Sequence, residues 1–94
     1  MQITINKKKI TLKYSIRALM LYENITGGSF APKSITDIIT FMYCIVVSSA
    51  EDYTYKLEDF INYLDEHPDT FNKFSEWLTS NDAANVALAK KVKN

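Results

Sequence analysis

With one cysteine and one histidine in 94 residues, this chain has little raw material for side-chain chemistry. Cys44 has no second thiol to pair with, and it sits in an apolar run where it behaves as a small hydrophobe. One cysteine and one histidine cannot build a zinc site of ordinary ligand spacing. Glycine is nearly as scarce. Gly27 and Gly28, the only two, follow a helical pattern instead of opening one, which excludes a glycine-rich phosphate loop. Arginine occurs once, as Arg17, and eleven basic residues balance eleven acidic ones, so no global field favours nucleic acid or an anionic membrane. The longest apolar run, residues 38–47, is shorter than the roughly 20 residues a spanning helix needs. The first ten residues lack the apolar stretch of a secretory signal. Together with the lone thiol, this points to a soluble protein of a reduced, cytoplasmic setting.

What the chain does have is apolar content, 47% of residues with 13% aromatic, enough for one modest core. Residues 2–14 alternate, with Ile3 and Ile5, then Ile10, Leu12 and Tyr14 on one face. That period predicts a β-hairpin turned through Asn6-Lys7-Lys8-Lys9. Ser15 reads as the N-cap of a short helix. Its apolar residues fall in two stripes, Ile16, Leu19 and Met20 against Ala18, Leu21, Tyr22 and Ile25. The Gly27-Gly28 pair stops it. Ser34-Ile35-Thr36-Asp37 has the form of a capping box before the run 38–47. The cap and the length favour a helix there, although its β-branched residues keep a buried strand as the alternative. Thr54 reads as the cap of a third helix with Leu57, Phe60, Ile61 and Leu64 on one face. His67-Pro68 ends it, with Pro68 in the first turn of the next. Phe71, Phe74, Trp77 and Leu78 face a fourth helix ending near Ser80-Asn81, and Asp82 reads as the cap of a weak last helix over 82–93. The expectation is one compact α+β domain over 1–94, mainly α: the hairpin at 2–14, a helical core over 15–80, and four to five short helices in all.

Candidate chemistry is thin. His67 lies beside Asp65, Glu66 and Asp69 at a helix corner before proline, without the orienting partner and nucleophile a catalytic histidine requires. The acidic pairs Glu51-Asp52, Glu58-Asp59 and Asp65-Glu66 are adjacent residues that face different ways on a helix, and they read as solvated faces. No catalytic, cofactor-binding or metal-ligating set emerges, and the chain is expected not to be an enzyme. Lys7-Lys8-Lys9 could grip phosphates but lacks the wider basic footprint of a nucleic-acid binder. Core packing accounts for Phe60, Phe71 and Phe74, while Tyr55, Tyr63 and Trp77 divide evenly between a core and an interface reading. Tyr and Trp are enriched at interfaces. The candidate partner-binding residues are therefore Tyr55, Tyr63 and Trp77, with Leu21 and Tyr22 on the second stripe of the first helix.

The order is hairpin, apolar helix with a double-glycine stop, loop, buried helix, then acidic-aromatic helices ending in Phe74-Ser75-Glu76-Trp77-Leu78. It resembles the small tail assembly chaperones of long-tailed bacteriophages and prophages. The stretches ITINKKKITLKYSIRALMLYENITGGSF, ITFMYCIVVSSA and FSEWL carry the likeness. Lys7-Lys8 departs from it, where an Asn-Gly turn would be expected. The resemblance implies a non-enzymatic protein that binds the tape measure protein and keeps it soluble in the host cytoplasm during tail assembly. It implies self-association, absence from the finished virion, and in many cases a frameshift-extended second form, with which the Lys90-Lys91 doublet is compatible. It implies no cofactor, nucleic acid or membrane. The alternatives are a structural tail or connector component and a small DNA-binding regulator.

Overall fold

The computed structural model describes residues 1–28, 30, 33–50 and 56–93, the last stretch beyond residue 80 by its backbone alone. Among these residues the chain forms one antiparallel hairpin, β1 (Gln2–Ile5) and β2 (Lys8–Thr11). Four helices follow: α1 (Ile16–Thr26), α2 (Ile35–Ser49), α3 (Leu57–Glu66) and α4 (Pro68–Lys93). The expected mainly-α α+β architecture is what the chain adopts.

In the hairpin Ile3 stands opposite Ile10, and Ile5 opposite Lys8. The alternation places Ile3, Ile5, Ile10 and Leu12 in the core and leaves Gln2, Thr4, Lys9 and Thr11 exposed. The turn is tighter than the expected four residues. Asn6 and Lys7 alone form it, both at positive φ, 50° and 68°. Two left-handed residues are the signature of a type I′ turn, whose twist matches that of the strands. Lysine there carries a Cβ that the left-handed region penalises. Lys7→Gly is therefore expected to stabilise the fold by about 0.5–1 kcal/mol, seen as a thermal midpoint a few degrees higher.

The run 38–47 is helix. Its flanks settle the choice over a strand: Ser34 Oγ accepts the Asp37 amide at 3.2 Å. Asp37 Oδ2 accepts the Lys33 amide at 3.0 Å, one residue outside the reciprocal bond of a regular capping box. The buried Thr40 hydroxyl donates to the Thr36 carbonyl at 2.8 Å, so the one buried polar side chain among the described residues is satisfied. Phe41, Met42, Cys44, Ile45 and Val46 are all fully buried. Helix α2 is thus apolar nearly all round, and it is the axis on which β2, α1 and α3 pack. Helix α1 starts at Ser15, whose Oγ accepts the Ala18 amide, and ends at Gly27 (φ 81°), whose amide bonds the Glu23 carbonyl at 2.7 Å.

Two expected boundaries move. Thr54 lies outside the described residues, and the cap of α3 is Lys56, whose amide donates to Asp59 Oδ2 at 3.2 Å. The separate last helix over 82–93 is instead the continuation of α4, a single helix of 26 residues. Ser, Asn and Asp favour caps but do not force a break, and no proline or glycine follows Pro68 to impose one. At the turn before the expected stop, the Thr79 hydroxyl donates back to the Ser75 carbonyl at 3.0 Å, which satisfies it within the helix.

Candidate partner-binding surfaces

The core of the fold meets at an aromatic cluster. The Phe41 ring lies 4.0 Å from Phe30 in a stacked arrangement, with Tyr14 and Tyr22 edge-on at 5.4 and 5.7 Å. Tyr22 also meets Phe30 edge-on at 5.2 Å. This fixes which stripe of α1 faces inward. Ala18 and Tyr22 are buried, with Ile25 at the end of their stripe 48% exposed, while Ile16 and Met20 of the other stripe are 75% and 58% exposed and only Leu19 between them packs partly against the core. Tyr22 is therefore a core residue of the domain. Burial lifts its phenol above the ordinary tyrosine pKa, and the charge of Asp37 adds to the shift.

Two apolar grooves flank α2 among the described residues. The first runs between α1 and the C-terminal end of α2. Met20, Leu21, Val47 and Ala50 line it, with Arg17 and Asn24 also on its walls, and it encloses about 740 Å³. Leu21, from the sequence-based set, lies here half-buried against the core. The second groove, about 220 Å³, lies where the start of α2 meets the α3–α4 corner. Its walls are Ile35, Ile39, Ile61, Leu64 and Phe71, with Asp65 and Pro68. Ile35 is 61% exposed there.

The other candidates do not join these surfaces. Tyr63 is half-buried on α3, stacked between Phe60 at 6.4 Å and His67 at 4.4 Å. Trp77 is half-buried on α4, edge-on to Phe74 at 5.8 Å. Tyr55 lies outside the described residues. Leu21, Tyr63 and Trp77 stand on three different helices and do not form one site. What pattern reading underweights is the pair Ile16 and Met20. Their i, i+4 spacing marks a face of α1, but no sequence rule says which of two apolar stripes a small core will cover.

Among the described residues no group of three or more His, Cys, Asp or Glu could hold a metal ion, and no helix is long and apolar enough to cross a membrane. His67 is exposed, its Nδ1 2.9 Å from the Tyr63 carbonyl. Cys44 is fully buried, and desolvation pushes its thiol up to about 11 from 9.0. In the unfolded chain the thiol ionises first, so stability from this group is full below about pH 9 and lost as the pH rises toward 11. Native protein is accordingly expected to resist a thiol reagent at pH 8 and to react at once in denaturant. Rapid labelling of the native state would place Cys44 at the surface. No family model matches this chain, and neither does any curated protein or solved structure.

Proposed function

We propose that this chain is a non-enzymatic binding protein, a tail assembly chaperone that holds the tape measure protein of a long-tailed phage in soluble form until the tail tube forms around it. The observation that carries the reading is the open apolar face of α1, where Ile16 and Met20 stand exposed and Met20 joins Leu21 and Val47 in lining the groove. Apolar residues in contiguous exposed patches mark partner surfaces. A groove between two helices suits the apolar face of a third, read at i, i+3 and i+4 spacing. The second groove at Ile35 and Ile61 adds a further foothold on the opposite end of α2. A client made of long amphipathic helices would meet both. The resemblance in pattern to tail assembly chaperones supplies the identity of that client. In this reading the protein works in the host cytoplasm, associates with copies of itself and with a frameshift-extended form, and leaves before the virion is complete.

Co-expression tests it. With this chain present, the tape measure protein encoded near it should move from the insoluble to the soluble fraction and co-purify. A tape measure protein that remains insoluble, or that never associates, rules the function out.

A further inference from the structure

The hairpin has an edge whose chemistry differs from its other edge. The Leu12 amide donates to the Met1 carbonyl at 2.8 Å, and the two-residue turn makes Ile5 and Lys8 a hydrogen-bonded pair. By alternation, the backbone N–H and C=O of Gln2 and Thr4 point away from β2. A cleft of about 530 Å³ lies on that side. Its walls include the consecutive residues Thr4, Ile5, Asn6 and Lys7, and nothing from β2. Thr4 and Ile5 point to opposite faces of β1, so a cavity that both line sits against the strand's edge, beside the Asn6-Lys7 turn. The opposite wall is α3, which contributes Asp59, Tyr63 and Glu66, with its C-cap His67 stacked on Tyr63.

We propose that this cleft binds an extended peptide segment bearing lysine or arginine, which adds as a third strand beside β1. The two edges carry opposite signals. β2 holds Lys8 and Lys9 with Lys13 just beyond, the residues by which exposed edges repel strand addition. β1 holds no charge at all. Facing it across the cleft are two carboxylates against the single lysine, Lys7, so the wall selects a cationic strand over an anionic one. Backbone bonds to Thr4 supply the docking, and alternate side chains of the added strand supply the choice of sequence. The site is separate from the apolar grooves and does not depend on what they bind.

The test titrates the full-length, ¹⁵N-labelled protein with a blocked hexapeptide of alternating lysine and valine. Saturable shifts at Gln2, Thr4 and Glu66 are expected below about 1 mM, with slowed exchange of the Thr4 amide. The alternating glutamate–valine peptide should bind at least about tenfold more weakly, and salt should weaken the lysine peptide. Glu66→Gln, at the exposed end of α3, should reduce binding severalfold with an unchanged melting temperature. Thr4→Pro removes the outward donor and should abolish binding, while Lys9→Gln on the other edge should not. No shifts up to about 5 mM, equal binding of the two peptides, or shifts centred on Lys9 and Thr11 would each overturn the proposal.

Discussion

Tyr22→Asp is expected to unfold the domain outright. The ring is 4% exposed and packs edge-on against the stacked pair of Phe30 and Phe41. Removing a large buried aromatic costs about 3–5 kcal/mol in lost burial and residual cavity. The aspartate adds several kcal/mol more, on the order of the penalty for an unpaired buried charge. It would stand near Asp37, the acid whose charge already raises the Tyr22 phenol pKa. A domain of this size holds about 5–15 kcal/mol in all, so the two terms together consume most of it. Far-UV circular dichroism at 25 °C should show loss of helix and no cooperative melt. A variant that still melts cooperatively within about 10 °C of the parent would mean that the stripe carrying Tyr22 faces solvent after all.

The contrast between Tyr22 and Leu21 shows where sequence patterning stops. Periodicity locates α1 and its two stripes, Ser15 and Gly27 bound it, and the alternation of Ile3, Ile5, Ile10 and Leu12 gives the hairpin its inner face. These signals are local, because each depends on residues within a turn or a strand of one another. Which stripe of α1 turns inward is a tertiary matter. It is decided by the Phe41 ring and by Phe30, which comes back from the loop to stack on it at 4.0 Å. Neither contact has a signature in the spacing of α1 itself. The same limit explains α4. Ser80, Asn81 and Asp82 have the composition of a boundary, but only proline or glycine forces one, and neither is there. The turn at Asn6-Lys7 is obscured for a different reason. Lysine is a poor left-handed residue, so the run of three lysines reads as a four-residue connection when Lys8 and Lys9 already belong to β2. For the candidate site, aromatic content points to Tyr63 and Trp77, and both are half-buried against neighbouring rings. The exposed aliphatics Ile16, Met20 and Ile35 are visible in the sequence as helix residues but not as surface.

The largest functional effect is expected from Ile16→Asp combined with Met20→Glu. Both side chains are more than half exposed, at 75% and 58%, so their removal leaves no cavity. An acid at the first position of α1 favours the helix dipole, where the natural sequence has none in the first turn. Glutamate is a good helix former, and at position 20 it stands three residues from Arg17, within reach of an ion pair. The fold should therefore keep its stability to within about 1 kcal/mol. A client helix seated on this face would lose two apolar anchors and meet two added charges. Loss of central anchors costs about 2–4 kcal/mol each at interfaces, a weakening of roughly 30- to 1,000-fold. Co-expressed tape measure protein should then return to the insoluble fraction while the variant itself stays soluble and melts as the parent does. Charges placed at Ile35 and Ile61 form the matched comparison, since Ile35 likewise opens its helix and stands exposed. If the α1 pair leaves the client soluble and the Ile35–Ile61 pair does not, the holding surface is the groove at the α3–α4 corner. If both leave it soluble, the apolar faces of this domain are not how it holds a partner.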